Sequence, residues 1–220
     1  MAFEAPSSET FGGAWPVLAS LVEIDGSAGH RVVATLAEPR VAKRDLADAV
    51  HAICALHGRH LFEDAARDRT DPGTTDWIDA ITGGFPVERA YLARLTAAAG
   101  PLPSTPGQAE ADAAFANQRH AFDMLVRSDR KGCASGAAIA LVLDWRAFRT
   151  VLDGAATRFG IEAPACELPD MNELAGLAAA IGDTPGVQRA IAFGAQQVFA
   201  QHRGLWDLLE ARAIARDHHH

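Results

Sequence analysis

Hydrophobic and polar positions alternate along this chain with two different periods. Near the N-terminus, Val17 to Ile24 and Arg31 to Leu36 are short apolar stretches on either side of Asp25-Gly26-Ser27-Ala28-Gly29. Their β-branched residues and the glycine turn predict a β-hairpin over 16–37, with a helix starting at Pro16 as the competing reading. From Asp45 onward the period changes to 3–4 residues. Leu46, Val50, Ile53, His57, His60 and Asp64 lie on one face of a helix expected to run to about Arg67.

The following segments are also helical in pattern. Asp71-Pro72-Gly73 is a turn, and short helices are expected near Thr75–Thr82 and Pro86–Ala99, the latter stopped by Gly100-Pro101. Thr105-Pro106-Gly107-Gln108 reads as a helix start, with Phe115, Gln118, Phe122 and Leu125 on one face before an end near Ser128. A wholly apolar stripe of Ala137, Leu141, Trp145, Phe148 and Leu152 marks a helix from about Gly132 to before Gly160. Gly132, Gly136 and Ala140 give it a groove of small residues. Asp170-Met171-Asn172-Glu173 has capping-box spacing and opens a helix to about Ile181. Thr184-Pro185 opens the last one, with Ile191, Ala195, Val198, His202, Leu205 and Leu209 facing inward as far as roughly Ala215. About four long helices with short connections imply a mainly α fold, an antiparallel helical bundle.

Composition supports this picture. Alanine makes up about a fifth of the 220 residues and is the best helix former. Lys43 and Lys131 are the only lysines, a bias expected of a GC-rich bacterial coding sequence. No repeat or long linker divides the chain, so one domain over 1–220 is expected. Residues 1–13 should be loosely ordered, and His218–His220 resemble a purification-tag remnant. The net charge of −8 argues against a nucleic-acid or acidic-membrane surface. The longest apolar run, Gly132 to Leu143, is too short to span a bilayer, and no secretory leader is apparent. Cys54, Cys133 and Cys166 are odd in number and widely spaced. They are expected to be small buried hydrophobes in a reducing, cytoplasmic setting.

Phosphate-binding loops are absent, as is the G-x-S-x-G nucleophile elbow; Gly132-Cys133-Ala134-Ser135-Gly136 places its serine one position late. Asp68 to Asp79 partly mimics a calcium loop, but Thr70 and Pro72 fall where oxygen ligands are required. The chemistry that stands out is where histidine falls. His57 and His60 continue the apolar stripe of the first long helix, and His202 has a core-type position on the last. His60-x-x-Glu63 and His120-x-x-Asp123 each set an imidazole beside a carboxylate. Helical bundles assemble metal and haem sites from such inward groups. His57, His60, His120 and His202, with Glu63 and Asp123, are therefore the candidate ligands for a transition metal, haem or small molecule. The competing expectation is that these are ordinary, hydrogen-bonded histidines. The chain would then be a non-enzymatic regulatory or interaction protein that self-associates, a homodimer being the simplest form.

Overall fold

A computed structural model describes residues 12–59, 79, 82–181 and 184–218. These residues are mainly helical, with no strand among them. The helices are α1 (Trp15–Asp25), α2 (Arg31–Leu36), α3 (Lys43–His57), α4 (Phe85–Ala99), α5 (Gln108–Val126), α6 (Cys133–Phe159), α7 (Met171–Ile181) and α8 (Pro185–His218).

The hairpin expected over 16–37 is instead α1, a single 3-10 turn at Ser27–Gly29, and α2. Pro16 stands in the first turn of α1, where its fixed φ and missing N–H are harmless. Trp15 and Leu18 then bury one face, as do Val32, Val33 and Leu36 on α2. Gly26 has φ −66° and ψ 154°, so the Asp-Gly pair does not adopt the left-handed turn that a tight hairpin requires. Burial of one helical stripe has overridden the β-propensity of Val and Ile.

Several helix ends follow the sequence signals. Asp170 Oδ1 accepts from the backbone N–H groups of Asn172 and Glu173, while Glu173 Oε2 accepts from the Asp170 N–H, completing a capping box. Thr184 Oγ1 accepts from the Val187 N–H and caps α8. The expected Thr105 cap is displaced: Gly107, at φ +75°, precedes α5, and the Thr105 hydroxyl bonds elsewhere. The first long helix, expected to run to about Arg67, ends instead at His57, where Gly58 is the C-cap and its N–H donates to the Cys54 carbonyl. The helix at Thr75–Thr82 and the Asp68–Asp79 loop lie largely outside the described residues, as do residues 1–11.

Helix directions are mixed, which corrects the antiparallel expectation. Gly136 lies against Ile191, Gly194 against Cys133 and Ala137, Asp144 bonds His202, and Phe148 packs on Trp206. The numbers rise together, so α6 and α8 run parallel. Glu88 with Trp145 and Tyr91 with Leu152 make α4 parallel to α6 as well. By contrast Asp45–Arg216 and Asp48–Arg212 set α3 antiparallel to α8, and Gln108–Arg212 with Gln118–Gln201 do the same for α5. The pairs α4–α5 and α5–α6, each joined by a short connection, are antiparallel. After Gly160 the chain returns along α6, where Arg149 donates to the Pro164 carbonyl and Cys166 to Asp170 lie beside Val142 and Trp145, which allows α8 to run parallel to α6.

The contact between α6 and α8 is the centre of the molecule. A Cβ on Gly136 would lie 2.1 Å from the Ile191 carbonyl oxygen, and one on Gly194 would lie 2.1 Å from that of Cys133. Two backbones approach here as only glycine permits. The small-residue groove read from Gly132 and Gly136 is therefore filled by α8. Nineteen of the 27 residues of α6 are buried, so this helix is enclosed over most of its surface and forms the core of the fold.

Candidate functional site

Within that core, α6 carries one buried acid, Asp144. Its two oxygens are fully engaged. Oδ1 accepts from the Ser27 backbone N–H at 2.6 Å, and Oδ2 accepts from the Ser27 hydroxyl at 2.5 Å. Oδ2 also lies 2.6 Å from Nδ1 of His202 on α8. With both Ser27 groups donating to the carboxylate, Nδ1–H of His202 donates too, which fixes the ring's orientation and tautomer. Its Nε2 then faces the interior with no hydrogen-bond partner.

The neighbour of that face is His57, the last residue of α3. The two imidazole centroids are 5.0 Å apart with the rings at 82°. Phe122 of α5 and Trp145 and Phe148 of α6 enclose His57 at 5.4–5.6 Å between centroids, all edge to face. Neither ring nitrogen of His57 has a hydrogen-bond partner. Burial, and after it the proximity of His202, hold the His57 pKa well below its ordinary value near 6.5, so the ring is neutral at pH 7. Three imidazole nitrogens are thus buried without partners at the meeting point of α3, α6 and α8, an arrangement that interiors rarely tolerate without a reason.

Of the candidate ligands read from sequence, the structure brings together His57 and His202. It does not bring His120 or Asp123 to them, because both are exposed on α5. The face of α5 turned toward His57 is that of Phe122, and a residue two positions away on a helix lies on nearly the opposite side. His60 and Glu63 lie outside the described residues. Among the described residues no group of three or more His, Cys, Asp or Glu side chains is arranged to hold a metal ion.

The cysteines divide by position. Cys133 is buried, Cys54 is half-buried and Cys166 is exposed, so burial of all three is not what the fold shows. No helix among the described residues is long and apolar enough to cross a membrane.

Two further buried polar clusters were not read from the sequence. Asp48 on α3 receives Arg212 through Nε and Nη2 at 2.8–3.1 Å and Arg216 through Nη1 at 2.6 Å. Arg216 also reaches Asp45 and Thr105, and Arg212 reaches Gln108. The signal was present: Leu205, Leu209, Arg212 and Arg216 continue one stripe at spacings of four, three and four. The other cluster centres on Glu88 of α4, which is wholly buried. Its Oε2 accepts from the indole N–H of Trp145 at 2.8 Å, and Arg149 Nη1 pairs with Oε1 at 2.9 Å. In both clusters each buried charge meets a counter-charge, so they cross-link helices.

These features define a helical protein with two buried charge-paired clusters and a third polar centre, a carboxylate-oriented imidazole beside an unpartnered one. Residues 22–217 match the family of unknown function DUF6975, and the chain belongs to that family. No curated protein and no solved structure matches the chain.

Proposed function

We propose that this chain is a helical bundle that binds a transition-metal ion through His57 and His202, with Asp144 orienting His202. The observation that carries the reading is the set of unpartnered, buried imidazole nitrogens at His57 and His202. A carboxylate on the far nitrogen of a metal-binding histidine is the usual means of presenting the other nitrogen's lone pair, and Asp144 stands in that relation to His202. Two imidazoles ligating one ion at about 2.0–2.1 Å with tetrahedral angles have ring centroids roughly 5 Å apart, and the observed separation is 5.0 Å.

Two nitrogens are too few for a closed site. His60 and Glu63, three and six residues beyond His57, are the proposed further donors. Nitrogen and carboxylate ligands of this kind suit zinc, iron, manganese or copper.

The experiment is metal analysis of the chain lacking His218–His220, as purified and after reconstitution with zinc, cobalt(II), iron(II), manganese(II) or copper(I). The expected result is about one equivalent per chain with a cobalt(II) spectrum of nitrogen coordination, lost in His57→Ala and His202→Ala and retained in His120→Ala. Loss in His60→Ala and Glu63→Ala identifies the completing ligands. A protein that takes up none of these ions, or takes one up independently of His57 and His202, overturns the proposal.

A further inference from the structure

At the opposite end of α3 from His57, a cleft of about 440 Å³ opens between the first turn of α3, the C-terminal ends of α4 and α6, and the proline-rich segment after α4. Its charged lining is Lys43, Arg44 and Arg158, with no carboxylate among the described residues that line it. Pro101, Pro103 and Phe159 supply apolar walls. Such a cluster is conspicuous in a chain of net charge −8.

Local pairing leaves a surplus of cationic side chains at this cleft. Asp48 is held between Arg212 and Arg216, Asp45 pairs with Arg216 and Asp217 pairs with Arg44. Five cations, Lys43, Arg44, Arg158, Arg212 and Arg216, therefore face three carboxylates, Asp45, Asp48 and Asp217. The two left without an acidic partner among the described residues are Lys43 and Arg158, both on the cleft. Arg158 is held in place by donating from Nη1 to the Pro39 carbonyl at 2.6 Å. A guanidinium keeps further donors for a second acceptor, and Lys43 is exposed.

We propose that this cleft binds a small organic anion, a phosphate monoester or carboxylate on an apolar body. Lys43 and Arg158 hold the charged group, and Phe159 with the prolines contacts the apolar part. The volume lies within the roughly 300–1,000 Å³ of small-molecule sites, and charged groups beside apolar walls are what such an anion requires. This site is separate from the imidazole pair, so either proposal can fail without the other.

The test is calorimetric titration of the full chain with phenyl phosphate, benzoate and inorganic phosphate, with amide chemical shifts followed in parallel. Saturable binding of phenyl phosphate or benzoate is expected, with shifts at residues 43–47, 98–103 and 158–159 and weakening as salt is raised. Preference for phenyl phosphate assigns a phosphate ester, and preference for benzoate assigns a carboxylate. Lys43→Glu, at an exposed position with no partner to lose, should weaken binding at least about tenfold, as should Arg158→Gln. Lys131→Glu makes the same change of charge elsewhere and should leave affinity within about twofold. The proposal is overturned if neither organic anion saturates by about 10 mM, or if inorganic phosphate binds as tightly as phenyl phosphate. Equal effects of Lys43→Glu and Lys131→Glu overturn it as well.

Discussion

Replacing His57 by phenylalanine should leave the metal-free protein as stable as the original or more so, and should remove part of its sensitivity to acid. The ring of His57 is 3% exposed and sits edge to face against Phe122, Trp145 and Phe148, contacts that a phenyl ring can reproduce. The imidazole additionally buries two nitrogens that bond to nothing, a penalty of about 1–3 kcal/mol that phenylalanine removes. The bulkier ring returns about 1 kcal/mol as overpacking. The net expectation at pH 7.5 is a change between zero and about 2 kcal/mol in favour of the variant.

The pH dependence provides a second, independent reading. The folded-state pKa of His57 is depressed, so the unfolded chain binds the extra proton first as pH falls. Stability from this group is complete above about pH 6.5 and is lost below it, by up to about 1.4 kcal/mol per pH unit. Between pH 7.5 and pH 5 the loss reaches up to about 2 kcal/mol, and His57→Phe should abolish it. Urea unfolding of both proteins in EDTA, at half-unit steps from pH 7.5 to 5, measures the difference. A variant less stable by more than about 2 kcal/mol at pH 7.5, or one whose stability falls with pH in parallel with the original, would refute the reasoning. His57 would then be a satisfied structural residue.

Four other outcomes follow from the packing. Gly136→Ala places a Cβ on the Ile191 backbone and should cost about 3 kcal/mol or more in urea unfolding, because neither helix can yield without losing the core. Asp48→Asn leaves Arg212 and Arg216 buried with weakened partners, and a loss of about 3–5 kcal/mol is expected by the same measurement. Asp170→Ala removes the cap of α7 and should cost about 1 kcal/mol, with early loss of amide protection at 172–174. Asp144→Asn alters the group that orients His202, and cobalt(II) affinity should fall about 10- to 100-fold while His120→Ala leaves it unchanged.

Helix positions were legible because each long helix carries a stripe with clear ends. Asp170–Glu173 and Thr184 show that a cap read from sequence is realised when nothing competes for its oxygen. Thr105 shows the opposite: Arg216 claims its hydroxyl, a contact across 111 residues that no local pattern announces. The segment 16–37 misled because β-branched residues suit a strand or a buried helical stripe equally, and tertiary burial made the choice. Direction misled for a similar reason. Short connections determine only adjacent pairs, whereas α6 and α8 are brought together by close approach at Gly136 and Gly194. His57 and His202 were legible as inward positions because histidine in an apolar stripe is conspicuous. His120 was misplaced because a helical wheel without a known inner face is uncertain by a residue or two, and two residues reverse the side.

The three buried polar centres differ in a way that bears on what each is for. At one end Asp48 and Asp45 face Arg212 and Arg216, and at α4 Glu88 faces Arg149. Opposite charges are matched there, and the helices are cross-linked. Such pairs repay their desolvation only when geometry and hydrogen bonding are good, as the multiple contacts at Asp48 illustrate. The centre at Asp144 is complete only on its outer side. Ser27 and His202 Nδ1 satisfy the carboxylate, and beyond them Nε2 of His202 and both nitrogens of His57 have no partner. A core optimised for stability alone would place leucine or phenylalanine at position 57, since the surrounding rings already form an apolar box. Retaining an imidazole there carries a cost in stability, which the ion binding proposed above would offset. On the proposed function, adding the ion should therefore stabilise the protein, and His57→Phe should lose that stabilisation.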